Sequence, residues 1–180
     1  MLPEDNSRNE MHPANMREVV IGSMTKDQLV QTLERQAIHL NQSAEQLLSS
    51  ELFIVSGKEK RLLTVEITVG ELGFAQGATL AEIFEKASMI GLGLCPVELG
   101  PYMRLQYPGQ PEGFLGKPVT QNRAPYGSLT IASPILSEDD DFPKGFYLRK
   151  IEGVLWLRGY HASMDFVWNP EDKFVFLKMG

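Results

Sequence analysis

The chain has a single cysteine, Cys95, among its 180 residues. One thiol excludes an intramolecular disulfide and a cysteine-rich zinc site. Histidine is scarce too. His12, His39 and His161 have no metal-ligand spacing, so no metal and no cofactor site is expected. Apolar runs fall far short of the ~18 residues that span a bilayer, and residues 1–15 hold no apolar signal-peptide core. Membrane insertion is therefore not expected, and the cytoplasm is the default location. Clusters of basic residues are lacking as well. Lys and Arg come singly or in short mixed runs such as Lys58-Glu59-Lys60-Arg61, and the formal net charge is −6. An acidic protein repels phosphate backbones, so no nucleic-acid partner is expected.

The residues present are those of one ordinary domain. Apolar residues make up 43% and charged residues 22%, far from the disordered range. Residues 1–22 read as a flexible polar tail, and residues 23–180 as a single α+β domain. Thr25 with Gln28 forms a capping box, and Leu29, Leu33, Ala37 and Leu40 follow at helical spacing. A shorter helix follows, with Ser43 as its cap and Leu47-Leu48 as its buried side. Together they predict a helical hairpin over 25–50. Leu62–Val69 alternates as a half-buried strand does. Thr79 and Glu82 open a third helix, which stops at Gly91 and Gly93. The β-rich core is expected over 60–178. It includes a strand at 128–132, a hairpin of 146–151 with 154–159 turning at Glu152-Gly153, and a closing strand at Phe174–Leu177. The predicted fold is an N-terminal helical pair, then a helix on a mostly antiparallel sheet, with long ordered loops where Pro and Gly crowd residues 94–127. Met103–Tyr107 is one candidate for a short regular piece within those loops.

Residues 94–107, Leu-Cys-Pro-Val-Glu-Leu-Gly-Pro-Tyr-Met-Arg-Leu-Gln-Tyr, are followed by Gln110-Pro111-Glu112-Gly113. This segment resembles the signature L-C-P-x-E-h-G-P-x-h-R-L-Q-Y, then Q-P-x-G, of a family of small uncharacterised bacterial proteins, h being apolar. The resemblance extends over roughly residues 25–178. It implies a bacterial source and one shared fold, and no activity. The chain departs from the pattern after Gly113. The family continues G-E-W-L-x-I-A-M-E-P-I, whereas here Phe114-Leu115-Gly116 precedes an insertion that ends before Ser128–Ile135. The family's glutamate after that glycine is absent.

The signature supplies the candidate site. Glu98, Arg104, Gln106, Tyr107 and Gln110 could line a cleft for a polar ligand, with Arg104 holding a carboxylate or phosphate. The competing reading is a buried Glu98–Arg104 ion pair that ties the loops down, with Pro101 turning the chain between the two charges. Cys95, Glu98 and His161 are the catalytic candidates. Asp165 is a possible orienter for His161, and Cys95 is otherwise a buried apolar residue. Glu138 with Asp139, Asp140 and Asp141 reads as a solvated acidic loop, because an EF-hand needs alternating ligands and a central Gly. Trp156, Tyr160, Phe166 and Trp168 read as core rather than as an exposed contact surface. The leading expectation is a non-enzymatic protein that binds a protein partner or a small polar ligand around residues 95–110. The alternatives are a hydrolase or transferase using Cys95 or Glu98, and a helix–turn–helix regulator. Charge argues against the last. Residues 25–51 carry Lys26 and Arg35 against Asp27, Glu34, Glu45 and Glu51, and the second helix has no base.

Overall fold

Period-2 burial builds the sheet. In the computed structural model, which describes residues 15–114 and 124–180, apolar side chains of each long strand divide between two faces. The strands are β1 (Met16–Ile21), β2 (His39–Leu40), β3 (Lys60–Thr68), β4 (Ala78–Thr79), β5 (Leu92–Gly93), β6 (Leu129–Ile131), β7 (Gly145–Ile151), β8 (Val154–Tyr160), β9 (Val167–Trp168) and β10 (Lys173–Lys178). The helices are α1 (Lys26–Arg35), α2 (Gln42–Ser49), α3 (Leu80–Met89) and α4 (Leu99–Gln106). The main sheet runs β1-β3-β10-β6-β7-β8-β2, with β5 beside β10. Its ladders are antiparallel except β6 on β10 and β2 on β8. β4 and β9 form a separate pair. The α+β class stands.

The closing strand predicted at Phe174–Leu177 is the middle of the sheet. Val175 faces one core, with Leu29 and Leu33 of α1, Leu47 and Leu48 of α2, and Leu99 and Met103 of α4. Phe174 and Phe176 face the other, with Ile83 and Ala87 of α3. A strand covered on both faces shows no alternation, hence the continuous apolar run.

Both predicted capping boxes form. The Thr25 hydroxyl accepts from Gln28 N–H and Thr79's from Glu82 N–H, and each N3 side chain reaches back to its cap residue. Two bonds from Thr79 hold the Glu82 carboxyl below the usual carboxylate range. The hairpin turn also forms as predicted. Glu152 and Gly153 take φ values of 51° and 75°, the consecutive positive angles of a type I′ turn, which suit glycine better than glutamate.

Three expectations are corrected. Residues 16–21 are not tail: they pair with β3 as an edge strand, while residues 1–14 lie outside the described residues. The helical pair is not supported. α1 ends at Arg35 and the backbone turns left-handed at Ala37, so Ala37 and Leu40 are not on the helix; β2 then intervenes. α1 lies against α4, and α2 against β8. Each helix found its apolar partner on another element, which local periodicity cannot specify. Finally, Asn41 rather than Ser43 caps α2, its Oδ1 accepting from Ala44 N–H at 2.8 Å.

That asparagine also meets Gly159 at the end of β8. Oδ1 accepts Gly159 N–H at 2.9 Å and Nδ2 donates to Gly159 O at 3.0 Å. The approach demands glycine, since a Cβ there would lie 2.7 Å from the carbonyl carbon of Ser43. Asn41→Ala removes the cap and strands two backbone groups of Gly159. It should lower unfolding stability by about 2–3 kcal/mol, and Asn41→Asp, which keeps the acceptor alone, by about half as much. Urea denaturation of the three proteins checks the order.

Candidate functional site

The 94–113 segment is organised by α4, and most of its predicted ligand-binding side chains are spent on backbone. Glu98 is buried just before the helix, and its two carboxylate oxygens accept from Ser56 N–H at 3.1 and 3.2 Å. Arg104 is fully buried. Nη2 donates to Tyr107 O, and Nη1 donates to Gln110 Oε1 and lies 3.4 Å from the carbonyls of Arg149 and Trp156. Gln110 in turn donates to Gly127 O and Leu148 O, both at 3.1 Å. Gln106 pairs its amide with N–H and C=O of Val20, as a strand residue would on the free edge of β1. The Tyr107 ring carries the Arg17 guanidinium 3.5 Å from its centroid.

The expected Glu98–Arg104 ion pair is absent. An ion pair does form at the surface, between Arg61 and Glu18 at 2.8 Å. Pro101 does not turn the chain. It sits in the first turn of α4, where its missing N–H is not needed, so the helix continues. Six helical residues then put the two charges about 120° apart around the axis. Arg104 is a buried cation surrounded by carbonyl dipoles. Burial draws its pKa down to about 10, with Tyr107 opposing, so it stays protonated at neutral pH. Arg104→Met leaves Gln110 Oε1 and Tyr107 O without a donor and should cost about 3 kcal/mol. Glu98→Gln with Arg104→Met should be additive within about 0.5 kcal/mol, as for sites without a shared partner. Guanidinium unfolding of the single and double variants measures the coupling.

Cys95 lies in the core with its Sγ 3.4 Å from Val175 O, and burial pushes its thiol pKa upward. A protonated, enclosed sulfur is a poor nucleophile. At pH 8 a thiol reagent should leave the native protein unlabelled and titrate one thiol after denaturation. The unfolded thiol ionises from about pH 8.5 and the folded one does not, so its contribution is complete below that pH and is lost above it. The loss should reach about 2 kcal/mol at pH 10 and be missing from Cys95→Ala.

The open site lies elsewhere. α3 covers the β3–β10 half of its sheet face. Over the β6–β7–β8 half lies a concavity of about 660 Å³, lined by Thr130, Tyr147, Tyr160, His161, Phe166 and Trp168, with Asn41 and Ser43 at its rim. Its aromatic wall packs edge to face. The Trp168 ring lies 5.5 Å from Tyr160, 5.3 Å from Phe166 and 4.9 Å from Phe174. Tyr160 Oη and Trp168 Nε1 are buried and make no hydrogen bond. Burial raises the Tyr160 pKa well above the usual phenol value, which keeps Oη a donor.

His161 joins this concavity. Its Nε2 is 3.1 Å from Ser43 Oγ, and its Nδ1 is 3.4 Å from the main-chain oxygen of Asp140. Asp165, the expected orienter, is exposed and makes no bond to it, and Cys95 does not line the concavity. Reading the four aromatic residues at 156–168 as core holds for Tyr160 and Trp168; Trp156 and Phe166 are half-buried, and the wall that Tyr160, Phe166 and Trp168 form was missed. Their placement around His161 was the signal in the sequence. The acidic loop is partly held by Lys144, whose Nζ donates to Ser137 O and Asp139 O at 2.9 Å. Among the described residues no three His, Cys, Asp or Glu side chains are grouped to hold a metal, and no helix is long and apolar enough to cross a membrane. Comparison with protein-family models, curated proteins and solved structures gave no match, and the resemblance of the 94–113 segment rests on its own residues.

Proposed function

We propose that the protein is a binding protein for a small molecule with an apolar body and hydrogen-bond acceptors, seated against Tyr147, Tyr160, Phe166 and Trp168. The observation that carries this reading is that two residues lining the concavity, Tyr160 and Trp168, each keep a buried donor, Oη and Nε1, without a partner. An unmet buried donor costs about 1–3 kcal/mol, and native proteins keep few of them. A ligand acceptor offsets that cost, and the concavity has the size and aromatic lining of small-molecule sites. The proposal shifts the expected site from residues 95–110, whose side chains hold backbone, to the opposite sheet face. It keeps the binding-protein reading. We place the protein in the bacterial cytoplasm on its acidic charge and on the resemblance of its 94–113 segment.

The neutral fluorescent dye N-phenyl-1-naphthylamine tests the site. Saturable binding is expected, and Trp168→Phe, which removes the Nε1 donor and one of the two tryptophans, should weaken it several-fold. Tyr160→Phe should leave unliganded stability unchanged or slightly raised, because it removes an unmet donor. Absence of saturable binding, or binding indifferent to residue 168, sinks the proposal.

A second reading has one observation behind it. Ser43 and His161 are within hydrogen-bond reach, as a nucleophile and its base would be. His161 is exposed, however, and its second nitrogen faces a carbonyl rather than a carboxylate. Labelling of Ser43 by a fluorophosphonate would favour an acyl-transfer enzyme, and an unlabelled native protein ends that reading.

A further inference from the structure

Beside the concavity, β7 and β8 carry two arginines that have no ion pair among the described residues. Arg149 stands opposite Trp156 and Arg158 opposite Tyr147, so the two lie diagonally on one sheet face, the face of Tyr147 and Tyr160. Arg149 is buried. Its Nε and Nη2 are enclosed without a hydrogen bond, as is Nε of Arg158. The Arg158 guanidinium is 5.0 Å from the Trp156 ring centroid and 5.9 Å from that of Tyr147. Among the described residues, no carboxylate lies within ion-pair distance of either one. Burial disfavours the charge of Arg149, Tyr147 opposes that effect, and the like charge of Arg158 adds to it.

Two neighbouring guanidinium groups with enclosed, unmet N–H groups and no counter-ion are unfavourable by desolvation and by repulsion. Arg104 shows the contrast within the same protein: its Nε is unmet as well, but both its terminal nitrogens are met by carbonyl and amide oxygens, whereas Nη2 of Arg149 is enclosed and unmet. An arrangement that leaves Arg149 and Arg158 without such oxygens is complementary to oxygens brought from outside. The planar fork of arginine matches carboxylate, phosphate and sulfonate groups.

We infer that Arg149 and Arg158 form an oxyanion subsite, and that the ligand of the adjoining concavity carries a carboxylate, phosphate or sulfonate beside its apolar body. The inference rests on the proposed binding role of the concavity. Tyr147 connects the two parts: it lines the concavity and faces the Arg158 guanidinium. The concavity takes the ligand's apolar part, and the arginines its charge.

Two dyes of similar shape separate this inference from the reading on which it rests. N-phenyl-1-naphthylamine is neutral, and 8-anilinonaphthalene-1-sulfonate carries an anion on a similar ring system. The sulfonate should bind about tenfold more tightly. Arg149→Met and Arg158→Met should each remove most of that preference and leave the neutral dye's affinity within about twofold. Arg158 is only half-buried, so Arg158→Met and the charge-preserving Arg158→Lys remain informative if Arg149→Met fails to fold. Equal affinities, or a preference that survives Arg158→Met, overturn the oxyanion subsite and leave the concavity standing. If neither dye saturates, both readings fall.

Discussion

Peptide groups that no strand or helix can pair must still be met by some partner, and in this protein side chains supply several of them. Residues 94–127 are crowded with proline and glycine, and the two edges of the main sheet add further open backbone. Arg104 and Gln110 tie the carbonyls of Tyr107, Gly127 and Leu148 together. Glu98 holds the N–H of Ser56, Gln106 occupies the free edge of β1, and Asn41 closes the end of β8 while capping α2. These polar residues act as pieces of secondary structure. Glu98, Arg104 and Gln110 are buried with the backbone they serve, Asn41 is half-buried, and Gln106 works at an exposed edge.

The helices cover the sheet unequally, and the site follows from that. α1, α2 and α4 pack over one face, with Phe146, Leu148, Leu157 and Val175 beneath them. On the other face α3 accounts for the half around Phe174 and Phe176. The half built by β6, β7 and β8 presents Tyr147, Tyr160 and the two arginines, closed at one side by the β9 residue Trp168. A concavity with an aromatic wall and unmet donors is the result. Unmet donors are rare in folded proteins because they oppose stability, so their presence together in one place is more informative than burial or charge alone.

The two capping boxes, the type I′ hairpin and the strand at 62–69 were legible because each is a local rule. Side chains three residues apart, a Glu-Gly turn or period-2 alternation contain their own geometry. The helical hairpin failed for the opposite reason. Leu29 and Leu33 of α1 and Leu47 and Leu48 of α2 were read correctly as buried, yet a stripe states that a partner exists and not which one. The 95–110 segment shows the same limit. Glu98, Arg104 and Gln110 are polar residues in a loop-rich segment, a pattern that a ligand cleft and a backbone clamp share. The difference lay in Ser56, Val20 and Leu148, which are remote in sequence.

Composition and spacing by themselves determined an acidic α+β chain, the starts of α1 and α3, the strands β3, β6, β7, β8 and β10, and the burial of Cys95 among apolar neighbours. Tertiary structure decided which face each helix covers, that Arg104 is surrounded by carbonyls while Arg149 and Arg158 are not, and that His161 meets Ser43 across 118 residues. The division is physical. Local preferences act through torsions and bonds within a turn or two of chain. A site instead depends on which polar atoms remain unpaired once the whole sheet has closed.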